Sequence, residues 1–124
     1  MDMTPLIPAD RQVIEGYSAS GFRVSGVAHH GAILVFPDKT HSWAAVSIGD
    51  VTEASLAPVM AHGDVDILLV GCGRRMMFLP KALRSWLREA GIVVDAMDTG
   101  AACRTYNVLL AEDRRVAAAL LPSG

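Results

Sequence analysis

Five groups of residues have the side chains, and in part the spacing, to do chemistry. Gly71, Cys72 and Gly73 follow an apolar run, where paired glycines would let backbone approach a phosphate. The third glycine of a dinucleotide fingerprint is missing, because Met76 stands in its place, and no Gly-Lys-Ser/Thr follows for a triphosphate loop. A tight turn at a strand end accounts for the pair equally simply and is the favoured reading. Cys103 falls at the start of a helical pattern beside Arg104, where a helix N-terminus and a cation favour thiolate. With Cys72 it offers a redox pair or a nucleophile, set against two inert buried thiols, which is the commoner fate of free cysteine. Asp98 and Thr99 precede that helix and suit its N-cap. A capping carboxylate there competes with phosphate for the same amides. Arg74, Arg75 and Arg104 would together form a grip for a carboxylate or a docking patch, or else sit in solvated loops. His29 and His30 are adjacent, His41 and His62 stand alone, and the spacing matches no zinc pattern. Paired catalytic carboxylates and a Gly-x-Ser-x-Gly elbow are also absent from the sequence.

The elements that must position these groups are clearest in the last third. Residues 67–70 read as a strand, 80–90 as a helix, 92–97 as a strand, 98–107 as the opening of a second helix, and 116–121 as a third strand. This βαβαβ unit matters because α/β sheets bind ligands beyond the carboxyl ends of their strands. In the first helix Ala82, Leu83, Trp86, Leu87 and Ala90 define an apolar face, with Pro80 in the first turn and Gly91 as the stop. Lys81, Arg84 and Arg88 share its solvent side. In the second helix Ala102, Tyr106, Leu109 and Leu110 form the apolar face.

The first half reads as β structure. Residues 12–17 alternate weakly, and 22–28 alternate better, with Phe22, Val24 and Ala28 on one face. His29, His30 and Gly31 suit a hairpin turn into a strand at 32–36, and residues 43–48 suit a further strand. Residues 52–61 suit a short helix limited by Pro58. The expectation is an α/β, three-layer single domain over residues 1–124. A central mixed sheet carries helices on one side and the early hairpins on the other.

Composition narrows the function classes. The chain has 124 residues, is 52% hydrophobic and 19% charged, and carries a formal net charge of −2. That suits a compact core and gives no global pull toward nucleic acid or anionic membrane. No apolar run approaches the roughly 18 residues that span a bilayer, and Met1 to Pro8 does not read as a secretory or transit signal. The expectation is a soluble, cytoplasmic protein with free thiols, no metal and no cofactor.

Residues 67–73 (ILLVGCG), Phe78 to Pro80, Gly91 with Ile92, and above all 97–109 (MDTGAACRTYNVL) resemble the signature of a family of small α/β domains of unknown function. The 112–120 ending (EDRRVAAAL) and the 21–26 strand (GFRVSG) also fit, so the resemblance covers nearly the whole chain. The family was first seen structurally in a methanogenic archaeon. Its relatives include the third mitochondrial complex I assembly factor and an adipogenesis-associated cytosolic protein. The resemblance implies a three-layer fold and a shared site at Gly71, Gly73, Pro80, Asp98, Thr99, Ala102, Thr105, Tyr106 and Asn107, without naming a reaction. It does not carry a mitochondrial location to this chain.

A non-enzymatic binding or assembly role is therefore expected, with another protein as partner. Arg74, Arg75 and Arg104 would meet an acidic or polar group, and Met76, Met77 and Phe78 would offer an adaptable apolar surface. The alternative is a small-molecule-binding protein or thiol-dependent enzyme using the crevice around Cys72, Asp98 and Cys103.

Overall fold

A computed structural model describes residues 7–123. Most of the segment read above for targeting signals, residues 1–6, lies outside the described residues. The chain builds two sheets. The first is antiparallel, in the order β1 (Ile14–Ser18), β2 (Gly21–Val24), β3 (Val27–His30). The second is mixed and runs β5 (Thr40–Ser42), β4 (Ile33–Val35), β8 (Val116–Leu120), β6 (Ile67–Gly71), β7 (Val93–Met97). Within it β8, β6 and β7 are parallel, whereas β4 is antiparallel to both β8 and β5.

The helices α1 (Ala57–His62), α2 (Lys81–Glu89) and α3 (Thr99–Ala111) complete the layers. Strand alternation sorts the core into two halves. Leu34, Leu68, Val70, Ala117 and Ala119 meet Leu56 and Val59 of the α1 region and Leu83 and Leu87 of α2. Ile33, Val35, Leu69, Val116, Ala118 and Leu120 meet Ala102, Tyr106 and Leu110 of α3 together with Ile14, Phe22 and Val24 of the small sheet. The three expected layers are present. The helices divide between the faces, however, and α3 shares its side with the hairpins.

The βαβαβ unit follows the expected boundaries closely. β6 and β7 are neighbours, and β8 enters on the other side of β6, so every residue of β8 is buried between two strands and two layers. Four local readings are corrected. Residues 22–28 are two strands, because Ser25 and Gly26 adopt positive φ and turn the chain. His29 and His30 consequently lie in β3, paired to Phe22 and Gly21, and are not in the turn. Residues 43–48 form no strand. After β5 the chain leaves the sheet, the Trp43 indole donates to the Ser55 carbonyl at 2.9 Å, and a one-turn 3-10 helix follows at Ile48–Asp50. In α2 the buried face is Leu83 and Leu87 with Trp86 half-buried, while Ala82 and Ala90 are exposed.

Candidate functional site

The carboxyl ends of β6 and β7 meet the start of α3, and Thr99 is the joint. It is fully buried. Its hydroxyl accepts from the Gly73 amide at 2.9 Å and donates to the Leu121 carbonyl at 2.6 Å. Its own amide donates to the Gly73 carbonyl at 2.8 Å. One threonine thus ties together the ends of β6, β8 and α3. Gly71 is needed for the same closeness, since a Cβ there would lie 2.8 Å from Leu120 Cδ2 and 3.1 Å from the Thr99 Cα. Gly73 takes φ +93°, the left-handed region that glycine adopts without strain.

The neighbouring signature residues are also committed to structure. Asp98 is the N-cap of α3, its carboxylate accepting from the Ala101 amide at 3.0 Å. Ala102 is buried, and the buried Tyr106 donates its hydroxyl to the Gln12 carbonyl at 3.0 Å, with burial holding the phenol in its protonated form. Asn107 makes both possible backbone bonds to Ile14, accepting from its amide at 3.0 Å and donating to its carbonyl at 2.7 Å. α3 is therefore the peg on which the small sheet hangs. Thr105 is half-buried.

The two thiols are free and packed on opposite faces of the large sheet. Cys72 borders the α1 and α2 layer, where burial raises it above the ordinary thiol value and its Sγ lies 3.7 Å from the Val70 and Met77 carbonyl oxygens. Cys103 lies in the α3 layer at 4% exposure, and burial pushes it up to about 12 against the weaker pull of Arg104. The helix terminus was expected to favour thiolate. Desolvation outweighs it, and the structure does not bring the pair together.

What is open on this rim is the segment between β6 and α2. Arg74, Arg75, Met76, Met77 and Phe78 are all exposed, and Phe78 is 85% exposed. Pro80 then caps α2 with extended backbone. A concavity of about 120 Å³ runs from Met76, Phe78 and Leu79 to Arg84 and the β7 residues Val94, Asp95 and Ala96. Among the described residues, no ion pair engages Arg74, Arg75 or Arg84. Arg104 faces elsewhere, lining a small pocket with Tyr17, Cys103 and Asn107. The Tyr17 hydroxyl rests where a Gly100 side chain would be, with Arg104 beside it.

A second cluster escaped the sequence. His62 lies 2.8 Å from Asp38, holding that carboxyl below its usual range, and stacks flat on Phe36 at 4.5 Å. His41 meets the same ring edge-on. No local spacing links positions 36, 41 and 62, so only the pairing of β4 with β5 and the placing of α1 reveal it. No group of three or more His, Cys, Asp or Glu among the described residues is arranged to hold a metal ion. No helix among them is long and apolar enough to cross a membrane.

With this geometry in place, the likeness to known proteins is informative. Residues 14–121 match the profile of a family described as protein of unknown function (DUF498/DUF598). The chain is 40% identical over 110 residues to an uncharacterized protein of Rhodobacter capsulatus, covering 88% of this chain and 83% of that one. It is 36% identical over 115 residues to NADH dehydrogenase (ubiquinone) 1 alpha subcomplex assembly factor 3 of Xenopus tropicalis. That match takes in 92% of this chain and spans 63% of the factor's length. A crystal structure described as an outer membrane protein from Bartonella henselae superposes with TM-score 0.86 at 38% identity, over 96% of this chain and all of that one. A solution structure from Bordetella pertussis, described as an Mth938-like domain, superposes with TM-score 0.82 at 31% identity, over 98% of this chain and 92% of that one.

Proposed function

We propose that this chain, which belongs to the DUF498/DUF598 family, is a non-enzymatic binding protein of the assembly-factor kind. Its partner would be a protein component of a respiratory NADH dehydrogenase before that enzyme is complete. The observation that carries this reading is the exposed Arg74–Phe78 segment. Three large apolar side chains preceded by two arginines stand in water above a base that Thr99 ties together. Exposed Met and Phe contribute little to a monomer, whereas at an interface they supply adaptable apolar area and arginine supplies bidentate grip. The relatedness to assembly factor 3 supports the class of partner. A thiol-dependent reaction is the weaker reading because Cys103 is buried and protonated at neutral pH.

The test is restoration of assembled NADH dehydrogenase in a host strain lacking this chain. The wild-type chain should restore it. A folded variant carrying Arg74→Glu, Arg75→Glu and Phe78→Ser should not. Full restoration by that variant would remove the binding surface from the proposal.

A further inference from the structure

Strand β7 closes one edge of the large sheet, and its pairing shows which of its backbone groups remain unused. The Val93 amide donates to the Asp66 carbonyl, and the Met97 carbonyl accepts from Cys72, so residues 93, 95 and 97 face β6. By alternation, Val94 and Ala96 turn their N–H and C=O groups to the open side. No hydrogen bond among the described residues engages them. Proteins ordinarily blunt such an edge by covering it, bulging it or charging it. Here β7 pairs with β6 without a register shift, and Asp95 is its one charged residue. The concavity between Met76, Phe78 and Arg84 opens along Val94 to Ala96.

We propose that an extended segment of the partner protein adds to this sheet as a strand beside β7. It would place an apolar side chain in the Met76–Phe78 concavity and acidic side chains toward Arg74, Arg75 and Arg84. This rests on the binding reading above and specifies its mode. Backbone pairing to Val94 and Ala96 supplies register, and the alternating side chains of the incoming strand supply selectivity. Charge complementarity selects the occupant. A second copy of this chain would add its own unpaired Arg74, Arg75 and Arg84 to an edge that is already basic, and like charges at an interface oppose association. An acidic segment meets like charge in the concavity only at Asp95, so its acids must sit on the arginine side, away from that carboxylate.

Proline in β7 separates this mode from a mere surface contact. Ala96→Pro and, independently, Val94→Pro delete an outward N–H while leaving the β6 ladder its donors, a position where edge strands tolerate proline. In the restoration assay each folded variant should drop to the level of the deletion strain. If both proline variants fold and restore fully while the Arg74, Arg75 and Phe78 variant does not, strand addition is overturned and the surface reading stands. If all of them restore, both fall. Amide hydrogen exchange of the free wild-type chain gives a test that needs no variant. Val94 and Ala96 should exchange as exposed amides, and strong protection would show the edge already covered. Sedimentation should give a monomer; a dimer abolished by Ala96→Pro would replace the foreign segment with a second copy.

Discussion

Two stretches meet on one rim and are built on opposite plans. Residues 98–107 commit four of their polar side chains to structure: the Asp98 cap, the Thr99 tie, the Tyr106 bond to Gln12 and the Asn107 pair to Ile14. Residues 74–78 expose all of their side chains, and no ion pair among the described residues involves their arginines. The stretch whose residue pattern is most specific is thus the fastening, and the plainer loop beside it is the surface the fastening presents. A distinctive motif can mark the part of a site that holds another part in place.

This contrast can be broken in several ways. The largest expected effect concerns the thiols. With Cys103 raised from an ordinary 9.0 to about 12, its thiolate fraction at pH 8 should be about 1000-fold below that of an ordinary thiol, and alkylation correspondingly slow. The sign for stability follows from the unfolded chain, which ionises this thiol near its ordinary value. The contribution is intact below about pH 9 and is lost as pH rises toward 12. Cys103→Ala should flatten that alkaline loss in a urea titration. A fast, low-pH thiol would return the closed stretch to chemistry.

Thr99→Val comes next, because it strands the part-buried Gly73 amide and the buried Leu121 carbonyl; a loss of about 3 kcal/mol in urea unfolding is expected. Gly71→Ala should cost about 2 kcal/mol by overpacking against Leu120 and the Thr99 backbone. Asn107→Leu should cost about 2 kcal/mol as well, and amide exchange should show β1 loosening before the large sheet. The smallest effect belongs to the open loop. Phe78→Ser with Arg74→Glu and Arg75→Glu should change stability by no more than about 0.5 kcal/mol. A large loss there would mean the loop is itself a fastening.

The βαβαβ unit was legible because its signals are local. Leu83, Trp86 and Leu87 repeat within α2, and β6 and β8 are short apolar runs between turn residues. The hairpins were harder. Phe22, Val24 and Ala28 alternate across the Ser25–Gly26 turn, so the pattern conceals the reversal. Residues 43–48 are a mostly apolar run that suits a strand, but Trp43 turns to Ser55 and Asp50 takes the amides of Val46 and Ser47, which bends the chain out of the sheet. In the site, Asp98 as a cap was readable from its place before the helix. The bonds of Asn107 to Ile14 span 93 residues, and no window of sequence holds both ends. The burial that silences Cys103 depends on the small sheet lying over α3, which composition does not disclose.

The position of β8 has a consequence for how the chain comes into being. It is the central strand of the large sheet, and it alone links β4 and β5 to β6 and β7. A ribosome delivers it after every other element described here. Until residues 116–120 have emerged, the growing polypeptide holds two sheet fragments with no shared ladder, each exposing the edge that β8 will fill. The arrival of β8 is therefore the closing stroke for the large sheet, and a nascent chain stalled before Val116 should be captured by holding chaperones.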